Sequence, residues 1–242
     1  MIADLARRAQ VSGRGRLLDL ACGTGQLAFP LRHWFAEVWA VDQEPDMVEV
    51  VRAKAATAEA PNFRSVVSSA ETLGAPPEYF ELVVIGNAFH RLDRDLAADR
   101  IFSWLQPGGH LALCWTSQPW NGEQSWQRAL AAALDRWKAA LGAGHRIPAG
   151  WEQARSRRPD SEVLCDAGFE LAGNHELAIE HRWTLPELAG LIRSTSFLPA
   201  AVLADQAAAF DADLAASLGP HSDDGVFTET ATFTYQLARK PD

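Results

Sequence analysis

Asp19, Gly23, Gly25 and Asp42 are the residues whose types and spacing could hold a nucleoside-like ligand. They belong to or follow the stretch from Arg16 to Gln26, where Leu17, Leu18 and Leu20 read as a buried parallel strand that ends in small residues. Gly23 and Gly25 admit backbone angles closed to other residues and let a ligand approach the main chain. Amides at the start of the helix that follows offer unpaired donors. Gly23-x-Gly25-x-x-Ala28 satisfies the loose dinucleotide pattern, and Asp42 follows where an acid would meet a ribose. Asp19 separates two ligand classes: at the strand end its carboxylate repels a pyrophosphate and attracts a cation. A ligand with a ribose, an amino group and a sulfonium fits better than a dinucleotide, and S-adenosylmethionine is such a ligand.

Leu18-Asp19-Leu20-Ala21-Cys22-Gly23-Thr24-Gly25 resembles the first motif of the class I S-adenosylmethionine-dependent methyltransferases, in particular the type 11 small-molecule group. The resemblance runs from Leu17 to about Trp115. Val38 to Asp42 is similar to the second strand with its ribose-binding acid, and Ser68 to Leu73 to the adenine-side segment, with Ser69 where the family usually has Asp. Phe80 to Val84 followed by Asn87-Ala88-Phe89-His90 resembles the fourth strand and its loop, and Leu105 to Gly109 the turn into the fifth. The resemblance implies an α/β fold, a doubly wound seven-stranded Rossmann-like sheet with an antiparallel last strand, and S-adenosylmethionine as cofactor. It also implies methyl transfer to a small-molecule acceptor, favouring an oxygen of a carboxylate or hydroxyl.

Under that resemblance Asp19 holds the amino group of the methionine part, and Ala21, Gly23 and Gly25 form the turn that admits its backbone. Asp42 accepts from the ribose hydroxyls, its alternative being a helix cap, and Gln43 and Met47 flank the adenine, plain packing being the alternative for Met47. Ser69, Ala70 and Glu71 lie by the adenine, Ala70 through its backbone amide, and Asn87 lies in the loop after the fourth strand. His90, beside the expected methyl group, is the candidate catalytic residue, as a base or as a group that orients the acceptor; silent packing on the cofactor is the alternative. This loop is not the Asn/Asp-Pro-Pro-Phe/Tyr of many nitrogen methylators, which favours oxygen, carbon or another small-molecule acceptor over nucleic-acid bases. His175, His181 and Trp183 are weaker candidates, while Trp115, Trp120 and Trp126 either line the acceptor site or pack in the core. Two rival readings are a catalytically silent S-adenosylmethionine-binding partner and an NAD-dependent oxidoreductase.

The elements that must position these groups alternate between strand and helix, which implies a parallel sheet. Strands are expected over 17–20, 37–41, 63–67, 82–85, 110–115, 169–180 and 226–237, with helices over 2–9, 26–34, 45–60, 94–105, 122–141, 161–167, 185 onward and 199–218. Residues 142–158 read as a loop, and the basic run Arg155-Ser156-Arg157-Arg158 as its solvated face. A single domain is expected, with a cofactor half over 1–120 and a substrate-side half over 121–242 whose helices at about 185–218 cover the acceptor. The short lead-in leaves two expectations open, a lid supplied from elsewhere or a sequence that begins inside a longer protein. Within 242 residues the formal charge of −9 argues against a nucleic-acid partner. Three widely spaced cysteines suggest neither a zinc site nor a disulfide framework, hence a reduced cytosol, and no apolar run is long enough to span a membrane. The expectation is a cytoplasmic monomer or homodimer that binds no metal.

Overall fold

The computed structural model describes residues 1–146 and 150–242. Its strands are β1 (Arg16–Leu20), β2 (Glu37–Asp42), β3 (Phe63–Val67), β4 (Phe80–Gly86), β5 (Leu105–Thr116), β6 (Glu170–Thr184) and β7 (Val226–Arg239). They form one sheet in the order β3-β2-β1-β4-β5-β7-β6, and β1 to β5 pair in parallel. β7 runs antiparallel to β5: Lys240 exchanges main-chain bonds with Gly108 and Gly109, while Ser117 bonds Thr232, so one index falls as the other rises. β1, β2 and β4 are covered on both faces and read as continuous apolar runs, whereas β3, at the edge, is mostly half-exposed. β1 has β2 on one side and β4 on the other, so the winding reverses there and a crevice opens at the carboxyl ends of β1 and β4.

The helices are α1 (Ile2–Arg8), α2 (Ala28–Leu31), α3 (Pro45–Thr57), α4 (Arg94–Trp104), α5 (Ser125–Ala140), α6 (Trp151–Arg157), α7 (Asp160–Asp166), α8 (Leu185–Arg193), α9 (Ala200–Leu203) and α10 (Ala207–Leu218). Three differ from the sequence reading. The helix expected over 26–34 is one α turn followed by a 3-10 turn, Arg32–Trp34: the Ala28 N–H is taken by the Asp19 side chain, and Pro30 has no N–H to offer. The loop expected over 142–158 contains α6, started after Gly150 in the left-handed conformation, while 147–149 lie outside the described residues. The helix expected over 199–218 breaks at Ala204, whose φ is +46°; nothing in the local sequence marks that break. The Pro107-Gly108-Gly109 turn is a bulge within β5, since Leu105 pairs with Phe80 but His110 pairs with Leu82.

Two compact units divide the chain: residues 1–115, 150–176 and 234–242 form one, and 116–149 and 177–233 the other. Residues 150–176 and 234–242, which follow position 120, thus pack with the cofactor-side residues. The first unit has a core of Leu18, Leu20, Val41, Val83, Ile85 and Leu113 under α4 and α7. The second packs Trp126, Leu130, Leu134, Ile192, Phe210 and Leu214 among its helices. In that second core Glu229 is buried but satisfied, accepting from Gln127 Nε2 at 2.8 Å and Trp183 Nε1 at 2.7 Å.

Candidate functional site

Asp19 sits in β1 at the middle of the sheet, in register with Ala40 of β2 and Val84 of β4, and is 1% exposed. Its Oδ2 accepts from the Ala28 N–H at 2.9 Å, which ties the strand to the first residue of α2. Burial pushes the Asp19 carboxyl up to about 8, and the nearby Asp42 charge adds to the shift against the opposing Ala28 bond. At neutral pH the group is therefore largely protonated. Asp42 closes β2: its Oδ2 accepts from the Gly23 N–H at 2.8 Å and its Oδ1 from the Glu44 N–H at 2.9 Å. One carboxylate thus holds the glycine turn against the start of α3 and keeps further lone pairs for hydroxyl donors.

The backbone of this turn is bent where the ligand is expected. Gly23 has φ +53° with open space where a Cβ would stand, so the main chain there is bare. Gly25, φ +80°, has the Phe29 ring 2.9 Å from the same position, and a side chain would clash. Ala21 and Asn87 also have positive φ, +55° and +52°, although neither is glycine. Each follows a strand that meets at the crevice, β1 for Ala21 and β4 for Asn87, and each such conformation costs about 1–3 kcal/mol. Gly86 leaves room for Leu27, whose Cδ1 would lie 3.1 Å from a Cβ there. Burial raises the thiols of Cys22 and Cys114, the latter to about 12, so neither is a ready nucleophile.

On the adenine side, the Ser68 N–H donates to the Asp42 carbonyl at 2.9 Å and draws the segment after β3 against the end of β2. Ser69 pairs its hydroxyl with Thr72 at 3.1 Å. Ala70 buries its methyl in the first unit's core, and its N–H donates to nothing among the described residues. Glu71 accepts from the Asp93 N–H at 3.4 Å, Met47 is buried on α3, and Gln43 is exposed. Asp19, Ala21, Gly23, Gly25 and Asp42 are thus joined directly through the turn, Ser69 to Glu71 are tied to it through Ser68, and Asn87 donates its N–H to the Cys114 carbonyl at 2.9 Å.

His90 lies on a 3-10 turn after β4, Phe89–Arg91, with its ring 4.3 Å from that of Trp151 on α6. Burial pushes its imidazole down to about 4, assisted by Arg91 and Arg155 and opposed by Asp160, so His90 is neutral at pH 7. Its Nδ1 is buried without a hydrogen bond among the described residues. Within the same unit, a cleft of about 500 Å³ is bounded by Trp115, Arg155, Asp160, Asn174, Glu176 and Gln236 among others, and His90 is not part of its lining. His175, an early candidate, is on its wall and stacks on Tyr235 at 4.8 Å. His181 and Trp183 meet edge to face at 4.1 Å, and Trp120 and Trp126 pack on Phe197 and Phe227 in the second unit's core.

Trp151 and Arg155 were missed by sequence reasoning because 142–158 reads as a loop, and Asp160 because it falls between that loop and the helix expected from 161. A signal was present: Trp151 and Arg155 are four residues apart, and such a pair shares one helix face.

Residues 17–109 match the family model described as "Methyltransferase domain". The chain is 34% identical over 165 residues to a demethylmenaquinone methyltransferase of Thermus thermophilus, covering 64% of this chain and 74% of that protein. It is 31% identical over 121 residues to an uncharacterized methyltransferase of Mycobacterium tuberculosis, which is 50% of this chain and 47% of that one, so it spans about half the length of that relative. Among solved structures, YcgJ of Bacillus subtilis superposes with a TM-score of 0.58 at 16% identity over 100% of this chain and 98% of its own. A phosphoethanolamine N-methyltransferase of Haemonchus contortus, solved with S-adenosyl-L-methionine, gives 0.55 at 17% over 100% and 52%. With the glycine turn, the two carboxylates and the seven-stranded sheet in place, the chain belongs to the class I S-adenosylmethionine-dependent methyltransferases, in their type 11 group.

Proposed function

We propose that this chain moves a methyl group from S-adenosylmethionine to an oxygen of a small-molecule acceptor, a carboxylate or hydroxyl, as a cytoplasmic monomer or homodimer with no nucleic-acid or membrane partner. The observation that carries the reading is the pairing of Asp42 with the Gly23 N–H in the turn that follows a buried Asp19, which has no cation among its hydrogen-bond partners in the described residues. The cofactor, when bound, supplies an electrophilic methyl on a sulfonium whose leaving group is a neutral thioether.

Every other part of the reaction falls to the chain. Asp19 binds the ammonium of the methionine part and becomes ionised as it does so, since a cation beside a carboxyl favours its charged form. Gly23, bare of side chain, admits the ligand to the main chain, and Gly25 and Ala21 keep the turn in its bent form. Asp42 accepts from ribose hydroxyls with the lone pairs its two N–H partners leave. The free Ala70 N–H meets the adenine edge, with Gln43, Met47, Ser69 and Glu71 around it. Asn87, from the end of β4, closes the side toward the acceptor. His90, neutral, can take a proton from an acceptor hydroxyl, and Nδ1 is the ring atom without a partner. Holding the acceptor in line is the larger effect, worth up to about 7–11 kcal/mol in well-oriented systems, and a base adds roughly 10²–10⁴-fold for a hydroxyl.

Calorimetry with S-adenosylhomocysteine, followed by tritium transfer from methyl-labelled cofactor to a panel of carboxylic acids and phenols, tests this. Binding with label transfer is the expected result. Uptake of NAD in place of adenosyl-sulfur ligands would overturn it, and binding without transfer to any acceptor would leave only a cofactor-binding partner protein.

A further inference from the structure

We propose that the cleft beside Trp115 is a subsite for a carboxylate carried by the acceptor, with Arg155 as its anchor. The side chain is already fixed. Its Nε lies 2.6 Å from Asp160 Oδ2, and its guanidinium covers the Trp115 ring at 4.4 Å from the ring centre. Asp160 is 4% exposed and is held on its other oxygen by Arg94 Nη1 at 3.0 Å. The Arg155–Asp160 contact pairs charges without hydrogen-bond alignment, since Oδ2 makes no hydrogen bond among the described residues.

This leaves Nη1 and Nη2 of Arg155 with no hydrogen bond or further ion pair among the described residues, on a planar group whose edge matches the two oxygens of a carboxylate. Arg94, Arg155 and Asp160 sum to one positive charge and Glu176 brings the group to zero, so the attraction for an anion comes from the open edge of Arg155 and not from net charge. Glu176, exposed on the rim, works against it, and His175 is on the same wall. A guanidinium held on two sides loses little freedom when it binds, which separates it from the exposed arginine at Arg157. About 500 Å³ is the size of a small-molecule site, and the Trp115 ring offers a flat apolar wall for the remainder of the ligand. His90 packs on Trp151, which is one helical turn before Arg155 on α6, so the anchor and the residue proposed to face the acceptor are joined through one helix face.

The word acceptor rests on the methyl-transfer reading, but carboxylate binding does not, and the two are measured separately. Phenylacetate and its uncharged counterpart phenylacetamide are titrated into the protein saturated with S-adenosylhomocysteine, and into the protein alone, by ligand-observed saturation-transfer NMR. Phenylacetate is expected to bind about tenfold or more tightly than the amide, with the preference lost in Arg155→Gln and partly kept in Arg155→Lys. Glu176→Gln, on the exposed edge strand, provides a second reading should Arg155→Gln fail to fold: phenylacetate binding should tighten about two- to threefold and amide binding stay unchanged. Equal affinity for the two probes, no binding of either at millimolar concentration, a preference retained in Arg155→Gln, or an equal response of both probes to Glu176→Gln would each overturn the subsite. Failure to bind S-adenosylhomocysteine would instead sink the methyl-transfer reading and leave the carboxylate preference standing.

Discussion

In the turn after β1, both Asp42 oxygens accept main-chain N–H groups and Asp19 accepts from Ala28, whereas beside α6 the Nδ1 of His90 is buried without a hydrogen bond among the described residues and Oδ2 of Asp160 has only its ion pair with Arg155. Buried polar atoms are normally paired, so groups left over mark either strain or an absent partner. The contrast separates two kinds of binding surface. The turn is complete before any ligand arrives and receives one at bare backbone and spare lone pairs. The region of His90 and Arg155 has the polar atoms an acceptor would satisfy, and is the less determined of the two.

The sharpest way to break that comparison is at His90. If His90 removes a proton from the acceptor, His90→Ala should lower kcat by about 10²–10⁴-fold for a hydroxyl acceptor and far less for a carboxylate, while leaving S-adenosylhomocysteine affinity within about twofold. Because burial holds the imidazole at about 4, the basic form is already present at pH 5, and the acid limb of kcat/KM should fall near 4. A limb near the ordinary histidine value would mean that His90 is not in this environment in the working enzyme.

On the turn side, Asp42→Ala should weaken S-adenosylhomocysteine binding about 10- to 150-fold, the loss of charge-assisted bonds worth roughly 1.5–3 kcal/mol. It should also destabilise the ligand-free protein, because the Gly23 and Glu44 N–H groups lose their acceptor. Calorimetry and thermal melting together read both effects, and an unchanged affinity would remove Asp42 from the site.

Asp19 gives a smaller effect with a definite sign. Its folded pKa, about 8, lies above the ordinary carboxylate value, so between pH 4 and 8 the folded state keeps a proton that the unfolded state has lost. Stability of the ligand-free protein therefore falls as pH rises through that window. A cationic ligand prefers the ionised form, so affinity should rise by up to about tenfold per pH unit toward pH 8 and level off above it. Asp19→Asn keeps an acceptor for Ala28 and should flatten both slopes: weaker binding, with higher thermal stability than the wild type above pH 8. A wild-type affinity independent of pH between 6 and 8 would contradict the assignment.

The division between the two regions also decides what could be read from the chain. β1, β2, β4 and the turn lie where strand runs are buried on both faces and punctuated by glycine, so Leu17, Leu18, Leu20, Gly23 and Gly25 report their surroundings directly. The sheet order and the antiparallel β7 agree with what the resemblance implies. Arg155 and Asp160 were not legible. Their meaning depends on Trp115, Arg94 and His90, which are between 40 and 70 positions away in sequence and meet them only in the fold. Local propensity also gave no hint of the break at Ala204, because alanine there reads as helix while its φ is positive.

Ala21 carries the same blindness into the turn itself, and offers the finest test of how far that turn is prearranged. Its φ of +55° places a Cβ where L-residues are strained, yet the residue types around it read as an ordinary strand end. Ala21→Gly relieves that strain but loosens the unfolded chain, so the net change should be a stabilisation of at most about 1 kcal/mol. If the bent turn is what the ligand requires, affinity should stay within about twofold, since the substitution leaves the Asp42–Gly23 bond and the Asp19–Ala28 bond in place. Destabilisation by more than 1 kcal/mol would show that the Ala21 methyl is held by packing that outweighs the strain. A large loss of affinity without loss of stability would show that the methyl itself shapes the pocket, and that the turn is less complete than its hydrogen bonds imply.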